Sequence, residues 1–232
     1  MSRPTAAPPE DRVPLAPAWH TAALVGLILA VAAAGTLLGR DAAPAPSPEP
    51  HRIAMVYLPV AFVQMGLFYY VVRVGRRGSA LLRLLGGGGW NAKRALADVG
   101  IAGALWAWVA AMGLVAARVF GAQSAHAGAL FPTSTAERIA WTVLAILVGV
   151  TEELVYRGYL RVQLAAFTRS AALGIALQAL LFGIAHLNQG GWMAVEIAID
   201  GAVFGIVAHW RRGLTACIAS HVATDVLAGL AG

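Results

Sequence analysis

The sequence predicts an all-α fold, a polytopic bundle of about seven transmembrane helices. Of the 232 residues, 59% are hydrophobic and 12% are charged, whereas soluble domains carry about 25% charged residues. The mean hydropathy is +0.71. Long apolar runs alternate with short polar turns, and the turns hold most of the positive charge. This pattern is typical of membrane proteins and argues against nucleic-acid binding.

The apolar runs predict the helices one by one. They lie at residues 18–38, 53–74, 98–120, 138–167, 171–187, 192–209 and 214–230. The first run is longer than the core of a signal peptide, which has about 7–15 residues, so we interpret it as a retained helix. We divide the chain into a disordered polar N-terminus (1–17), N-terminal helices with their loops (18–137) and a helical core (138–232).

The charged turns predict how the bundle is oriented. The segment 73–94 carries six cations and no acid, namely Arg73, Arg76, Arg77, Arg83, Lys93 and Arg94. Basic turns stay in the cytoplasm, and the turns at Arg169 and at Arg211 fall on the same side. We therefore expect a cytoplasmic N-terminus. The abundance of Ala, Gly and Arg suggests a bacterial genome, and so a multi-pass protein of the bacterial inner (plasma) membrane.

The segment from Thr151 to Gly158 places two acids and an arginine inside an apolar helix. Ionisable residues in a membrane are costly and are functional candidates by default. Glu153 and Arg157 are four residues apart and can form an ion pair within the helix. Glu152 points about 100° away from Glu153, so the two carboxylates can have different tasks.

The next helix brings a histidine to the depth of Glu152. Glu152 lies 15 residues before the end of its helix at Phe167, and His186 lies 15 residues after Ala171. Both are therefore about 22 Å from the turn that joins the two helices, and antiparallel packing can bring them together. Phe182 is one turn before His186 and can pack beside it, although ordinary core packing is the better explanation on spacing alone.

The last helix carries His221 and Asp225, again one turn apart. A carboxylate beside an imidazole can fix its tautomer. By residue count, His221 lies slightly nearer the cytoplasmic side than Glu152. Helix six adds Glu196 and Asp200, which can pair with arginines of helix four, line a substrate entrance or simply face other helices.

These three motifs together resemble the CAAX-protease and bacteriocin-processing (CPBP) family of intramembrane endopeptidases. They read Glu152-Glu153-Leu154-Val155-Tyr156-Arg157, then Phe182-Gly183-Ile184-Ala185-His186, then His221-Val222-Ala223-Thr224-Asp225. The resemblance covers residues 138–231 and leaves the first three helices without a signature.

The resemblance implies a role for each motif residue. Glu152 would be the general base that activates water with His186, and His221 would stabilise the oxyanion. The best-understood eukaryotic branch has asparagine where this chain has Asp225, and an ionised aspartate cannot donate a hydrogen bond. Asp225 would therefore either be protonated or orient His221, and we favour the second. Glu153 and Arg157 would support the first motif.

Several alternatives remain at the level of sequence. By ligand type, Glu152, His186, His221 and Asp225 could also bind zinc, although the His-Glu-x-x-His pattern is missing. We expect no cofactor. Cys217 is the single cysteine, which excludes an internal disulfide and an iron–sulfur cluster. A non-catalytic immunity or scaffold protein and a proton-coupled transporter are the other functions. The expected partners of a protease are the lipid bilayer and a membrane-embedded or membrane-associated protein or peptide, with no nucleic acid.

Overall fold

The computed structural model describes residues 13–39, 52–75, 91–120 and 131–231. Within these ranges the chain is helical and contains no β-strand, so the predicted all-α class is confirmed. Residues 40–51, residues 76–90 of the basic segment 73–94, and residues 121–130 lie outside the described residues. The same is true of residues 1–12.

The described residues form seven helices in chain order. They are α1 (Ala18–Gly39), α2 (Leu58–Gly75, preceded by the π-helical turn Ile53–Tyr57), α3 (Ala92–Phe120), α4 (Thr135–Glu152, continuing through Glu153–Leu160 and Arg161–Thr168), α5 (Ala171–Ala185), α6 (Gly191–Arg211) and α7 (Thr215–Ala231).

Five of these helices, α1 to α4 and α6, are long and apolar enough to cross a membrane. The other two, α5 and α7, are apolar but have only 15 and 17 residues. They therefore span about 22 and 25 Å, against a hydrocarbon core of about 30 Å. The helical membrane bundle is confirmed, and α5 is two residues shorter than the predicted run 171–187.

Polar side chains at two helix N-termini explain where the predicted boundaries were wrong. Helix α3 begins six residues before the predicted Asp98, because the Asn91 side chain accepts the backbone N–H of Arg94. Lys93 and Arg94 are thus helical. Helix α4 begins at Thr135 rather than Arg138, because Ser134 and Glu137 form a reciprocal capping box.

Helices α5 and α6 pack closely as an antiparallel pair. Gly183 of α5 lies against the backbone of α6, where a side chain would collide with the carbonyl oxygen of Ala194 and with Ala198. This close approach places the C-terminal turn of α5, which carries Phe182 and His186, beside the middle of the bundle.

Charged pairs connect the earlier helices to this core. Arg52 lies at the start of α2, and its guanidinium is 2.8 Å from the buried carboxylate of Glu137, at the start of α4. At the opposite end of the bundle, Arg211 of α6 lies 2.6 Å from Asp98 of α3. These ion pairs fix α2 against α4 and α3 against α6.

The end of the N-terminal segment is packed against α4. The backbone N–H groups of Leu15 and Ala16 donate to the side chain of Gln163, which in turn donates to the Ala16 carbonyl. The sequence predicts a disordered segment through residue 17, whereas these two residues are ordered by a buried glutamine.

Candidate active site

The two adjacent acids lie where α4 changes its helical form. Glu152 ends the first α-helical stretch, and Glu153 begins eight residues of π-helix. The segment closes where the N–H of Arg161 bonds the carbonyl of Tyr156, five residues back. Such π-helical insertions occur often at functional sites. The sequence analysis assumed a regular α-helix here, so it missed this feature.

Glu153 is fully buried and contacts two groups through one oxygen. Its Oε1 lies 2.9 Å from the Arg157 guanidinium and 2.9 Å from Nδ1 of His221. The pair with Arg157 has the predicted spacing. The bond to His221 was not predicted, since Asp225 was expected to orient that ring. In the structure Glu153 is the carboxylate bonded to Nδ1 of His221.

Arg157 is buried between two aromatic rings. Its guanidinium carbon lies 4.1 Å from the ring centre of Phe182 and 5.2 Å from that of Phe204. Cation–π contacts of this kind stabilise a desolvated guanidinium. Arg157 therefore compensates the charge of Glu153 in a place where water does not reach it.

Glu152 faces both histidines with one oxygen and a glutamine with the other. Its Oε2 lies 4.0 Å from Nε2 of His186 and 3.8 Å from Nε2 of His221. Its Oε1 accepts a hydrogen bond of 3.0 Å from the side-chain amide of Gln64, on α2. The predicted pair of Glu152 and His186 is thus brought together, and the expected depth offset of His221 does not separate it from Glu152.

Both histidines have a defined tautomer. Nδ1 of His186 is 2.7 Å from the Phe182 carbonyl oxygen, and Nδ1 of His221 is 2.9 Å from Glu153. A carbonyl or carboxylate oxygen can only accept, so Nδ1 carries the proton in each ring. In each ring Nε2 is therefore the atom turned toward Glu152.

The ring of Phe182 lies between Arg157 and His186. Phe182 is buried, and its ring contacts His186 edge-on, with a centroid distance of 4.7 Å. Tyr156 contacts the same ring at 4.8 Å. Phe182 thus joins the histidine to the arginine described above, in addition to the packing role that its spacing suggested.

Asp225 lies on the other side of His221 and is partly open. Its Oδ2 is 3.6 Å from Nε2 of His221, and 29% of its side chain is exposed. Its backbone carbonyl accepts a hydrogen bond from Trp141 of α4. Asp225 and Glu152 therefore both lie near Nε2 of His221, the atom that points into the site.

The position of α7 depends on a glycine in α4. At Gly149 a side chain would meet Val222, at 2.8 Å from its Cγ2 and 3.1 Å from its backbone nitrogen. The two helices approach this closely one turn before Glu153. The contact brings His221 within hydrogen-bond distance of Glu153.

Two cavities reach Glu152. The larger, of about 410 Å³, is lined by Glu152, His186, His221 and Asp225. A second one, of about 300 Å³, lies between α1, α2 and α4 and is mostly apolar. Gln64, Glu152 and His186 line both cavities. The site is therefore accessible to a substrate of mixed polar and apolar character.

Of the two acids on α6, Asp200 lines the larger cavity. Its Oδ1 accepts a hydrogen bond of 2.8 Å from the Trp108 indole of α3. Trp108 and Gln64 are site neighbours that the sequence analysis missed. A signal was present for Gln64, because it is the one amide or charged side chain between residues 53 and 72.

The four candidate residues do not have the arrangement of a metal site in the described structure. Across the ranges listed above, no group of three or more His, Cys, Asp or Glu side chains is placed to hold a metal ion. Chelation distinguishes the zinc alternative from metal-free catalysis.

Comparison with known proteins identifies the core. Residues 134–227 match the family model described as type II CAAX prenyl endopeptidase Rce1-like. These residues are therefore similar to the CPBP family, to which that model belongs. The match begins at Ser134, the residue that caps α4, and includes all three motifs. Searches of curated proteins and of solved structures gave no match.

The similarity to the CPBP family supports a CAAX-type protease, and the long apolar helices support a membrane protein. A protease embedded in a membrane fits a membrane-associated substrate.

Proposed function

We propose that this chain is an intramembrane endopeptidase in which a glutamate and a histidine activate water, with no metal. One observation carries the proposal. Oε2 of Glu152 has Nε2 of His186 and Nε2 of His221 at 4.0 and 3.8 Å. Both distances exceed a direct hydrogen bond, and each suits one bridging oxygen at about 2.8 Å from both atoms.

The proposed reaction uses these atoms in order. Glu152 accepts one proton of the water through Oε2, and Nε2 of His186 accepts a hydrogen bond from the other. The water oxygen attacks the carbonyl carbon of the peptide bond, whose oxygen becomes an oxyanion. Glu152 then gives its proton to the amide nitrogen as the C–N bond breaks. The products are a carboxyl group and an amine.

His221 is the proposed oxyanion donor. In its imidazolium form it carries a proton on Nε2 while Nδ1 remains bonded to Glu153. Glu153 and Asp225 lie on opposite sides of the ring and compensate its charge. A preorganised donor at the developing charge is a large contribution to catalysis. Asp225 supports this form through its charge and need not donate a hydrogen bond itself.

The substrate is a membrane-associated protein or peptide precursor. Candidates are a lipid-modified protein, a secreted peptide precursor or a protein with a C-terminal sorting helix. We place the enzyme in the inner membrane of a bacterium with its N-terminus in the cytoplasm, on the strength of the basic turns.

Replacement of Glu152 by glutamine tests the proposal, because it keeps the shape and removes the base. Membrane and secreted peptides of cells that express the wild type, Glu152→Gln or His186→Ala are compared by mass spectrometry. We expect cleavage products that fall by about 100- to 10,000-fold in both variants. Glu196→Gln is the matched control, since Glu196 lies outside the site. Products at the wild-type rate in both site variants contradict the proposal.

Chelation separates the metal-free form from a zinc-dependent form of the same site. The purified full chain in lipid nanodiscs is treated with 1,10-phenanthroline. Its activity is then assayed on a peptide that the mass-spectrometric comparison identifies as a substrate. We expect an unchanged rate. Loss of activity that added Zn²⁺ restores would assign the water activation to zinc instead.

A further inference from the structure

Gln64 connects the first half of the chain to the proposed base. It lies in the middle of α2 and is 8% exposed, and its Nε2 donates to Oε1 of Glu152 at 3.0 Å. The motif residues all belong to α4, α5 and α7. The hydrogen bond from Gln64 is therefore a contact with the proposed base that no motif includes.

A stabilising effect on the fold does not explain why an amide side chain occupies position 64. Its Oε1 is buried and has no hydrogen-bond partner among the described residues. A buried acceptor without a partner is destabilising compared with an apolar group of the same shape. Methionine would fill the same space in this apolar stretch of α2 without that cost.

The hydrogen bond fixes how the Glu152 carboxylate is turned. The terminal torsion of a glutamate is broad, so a carboxylate without partners samples many orientations. With Oε1 held by the amide, Oε2 is left facing the two Nε2 atoms. We propose that Gln64 is a positioning residue for the proposed base, an inference that rests on the proposed function.

The packing of α2 against α4 keeps the amide in place. The two helices run in the same direction, because they meet first at Arg52 and Glu137 and again at Gln64 and Glu152. The second contact comes twelve residues later on α2 and fifteen residues later on α4. Two contacts at different depths define the register of α2, and so the reach of Gln64.

Gln64→Met removes the donor and keeps the length of the side chain. A peptide whose cleavage depends on Glu152 is made as an internally quenched substrate and assayed with the full chain in nanodiscs. We expect kcat to fall by about 10- to 100-fold, because misplacing a reacting group costs that much. KM should change less than twofold, and the unfolding temperature should not fall.

Gln163→Met is the matched control, because Gln163 is a fully buried glutamine that holds Leu15 and Ala16 and does not touch Glu152. It should lower the unfolding temperature and leave kcat per folded molecule unchanged. A wild-type kcat in Gln64→Met, with cleavage still dependent on Glu152, overturns the inference and leaves the proposed function standing. The inference is also overturned if the activity of Gln64→Met falls only in proportion to the fraction of folded protein. If no cleavage depends on Glu152, the proposed function itself fails.

Discussion

The Oε1 atom of Glu153 holds together residues from two helices. It contacts Arg157, one turn further along α4, and Nδ1 of His221 on α7. Both partners carry or can carry positive charge, and Glu153 is fully buried. Its removal would leave Arg157 without its ion-pair partner in a dry environment.

Glu153→Gln should therefore destabilise the protein strongly. We expect the free energy of unfolding to fall by about 3–5 kcal/mol, the usual cost of an uncompensated buried charge. Unfolding of the full chain in detergent micelles measures this. Arg157→Met in the same chain should restore part of the loss, because it removes the orphaned charge. Equal stability of Glu153→Gln and the wild type would contradict the expectation.

Sequence reasoning located some of these residues and missed others for a clear reason. Glu152 and His186 could be paired because a short turn joins their helices, so residue counts measure depth. The bond between Glu153 and His221 could not be found that way. It depends on how α7 is rotated about its axis. Asp225 was therefore expected beside His221 as its orienting carboxylate, whereas the carboxylate bonded to Nδ1 is Glu153.

At the scale of helices, the π-helical segment and the contact of α4 with α7 shape the site. The segment Glu153–Leu160 follows no periodic pattern that separates it from an α-helix in the sequence. Gly149 is one of 26 glycines, and no sequence pattern distinguishes it from the others. Its role becomes visible only when Val222 is seen against it.

Gly149→Ala should push α7 away from α4. The added methyl group meets both the side chain and the backbone of Val222, and overpacking of this kind costs about 1–3 kcal/mol. We expect lower stability together with a lower kcat, since His221 moves away from Glu153. Val222→Ala in the same chain should restore both in part.

Gly103→Ala is the control for this test. Nothing lies within 4 Å of the position that its side chain would take. Alanine is the better helix former by about 1 kcal/mol, so stability should not fall and kcat should stay the same. An equal effect of the two substitutions would show that glycine flexibility matters rather than the contact with Val222.

For the whole molecule, seven apolar runs were enough to predict the helical membrane bundle. The apolar runs can be recognised from the sequence without knowing how the helices pack, so they predict the number of helices and their membrane location. The early end of α5 was harder to predict. Helix α5 ends at Ala185, with a short 3₁₀ turn after His186, where the sequence remains apolar to Leu187. Gln64 and Glu152 are 88 residues apart in the chain, so no residue count predicts their contact.

The orientation of the bundle can be measured with cysteines at the two ends of α6. Asn188 and Arg212 are exposed in the turns that precede and follow this helix. In a Cys217→Ala chain, a membrane-impermeant maleimide should label Asn188→Cys in intact spheroplasts. Arg212→Cys should react only after the membrane is opened. The reverse pattern would contradict a cytoplasmic N-terminus.

The ion pair of Glu153 with Arg157 has a consequence for how the chain is made. Helix α4 precedes α6 and α7 in the chain, so it leaves the ribosome before Phe204 and His221 do. A charged residue at the centre of an inserting helix costs about 2.5–3.5 kcal/mol. Because the acid and the arginine are four residues apart on one helix, α4 carries its own counter-ion while it leaves the ribosome, and its insertion need not wait for the rest of the site.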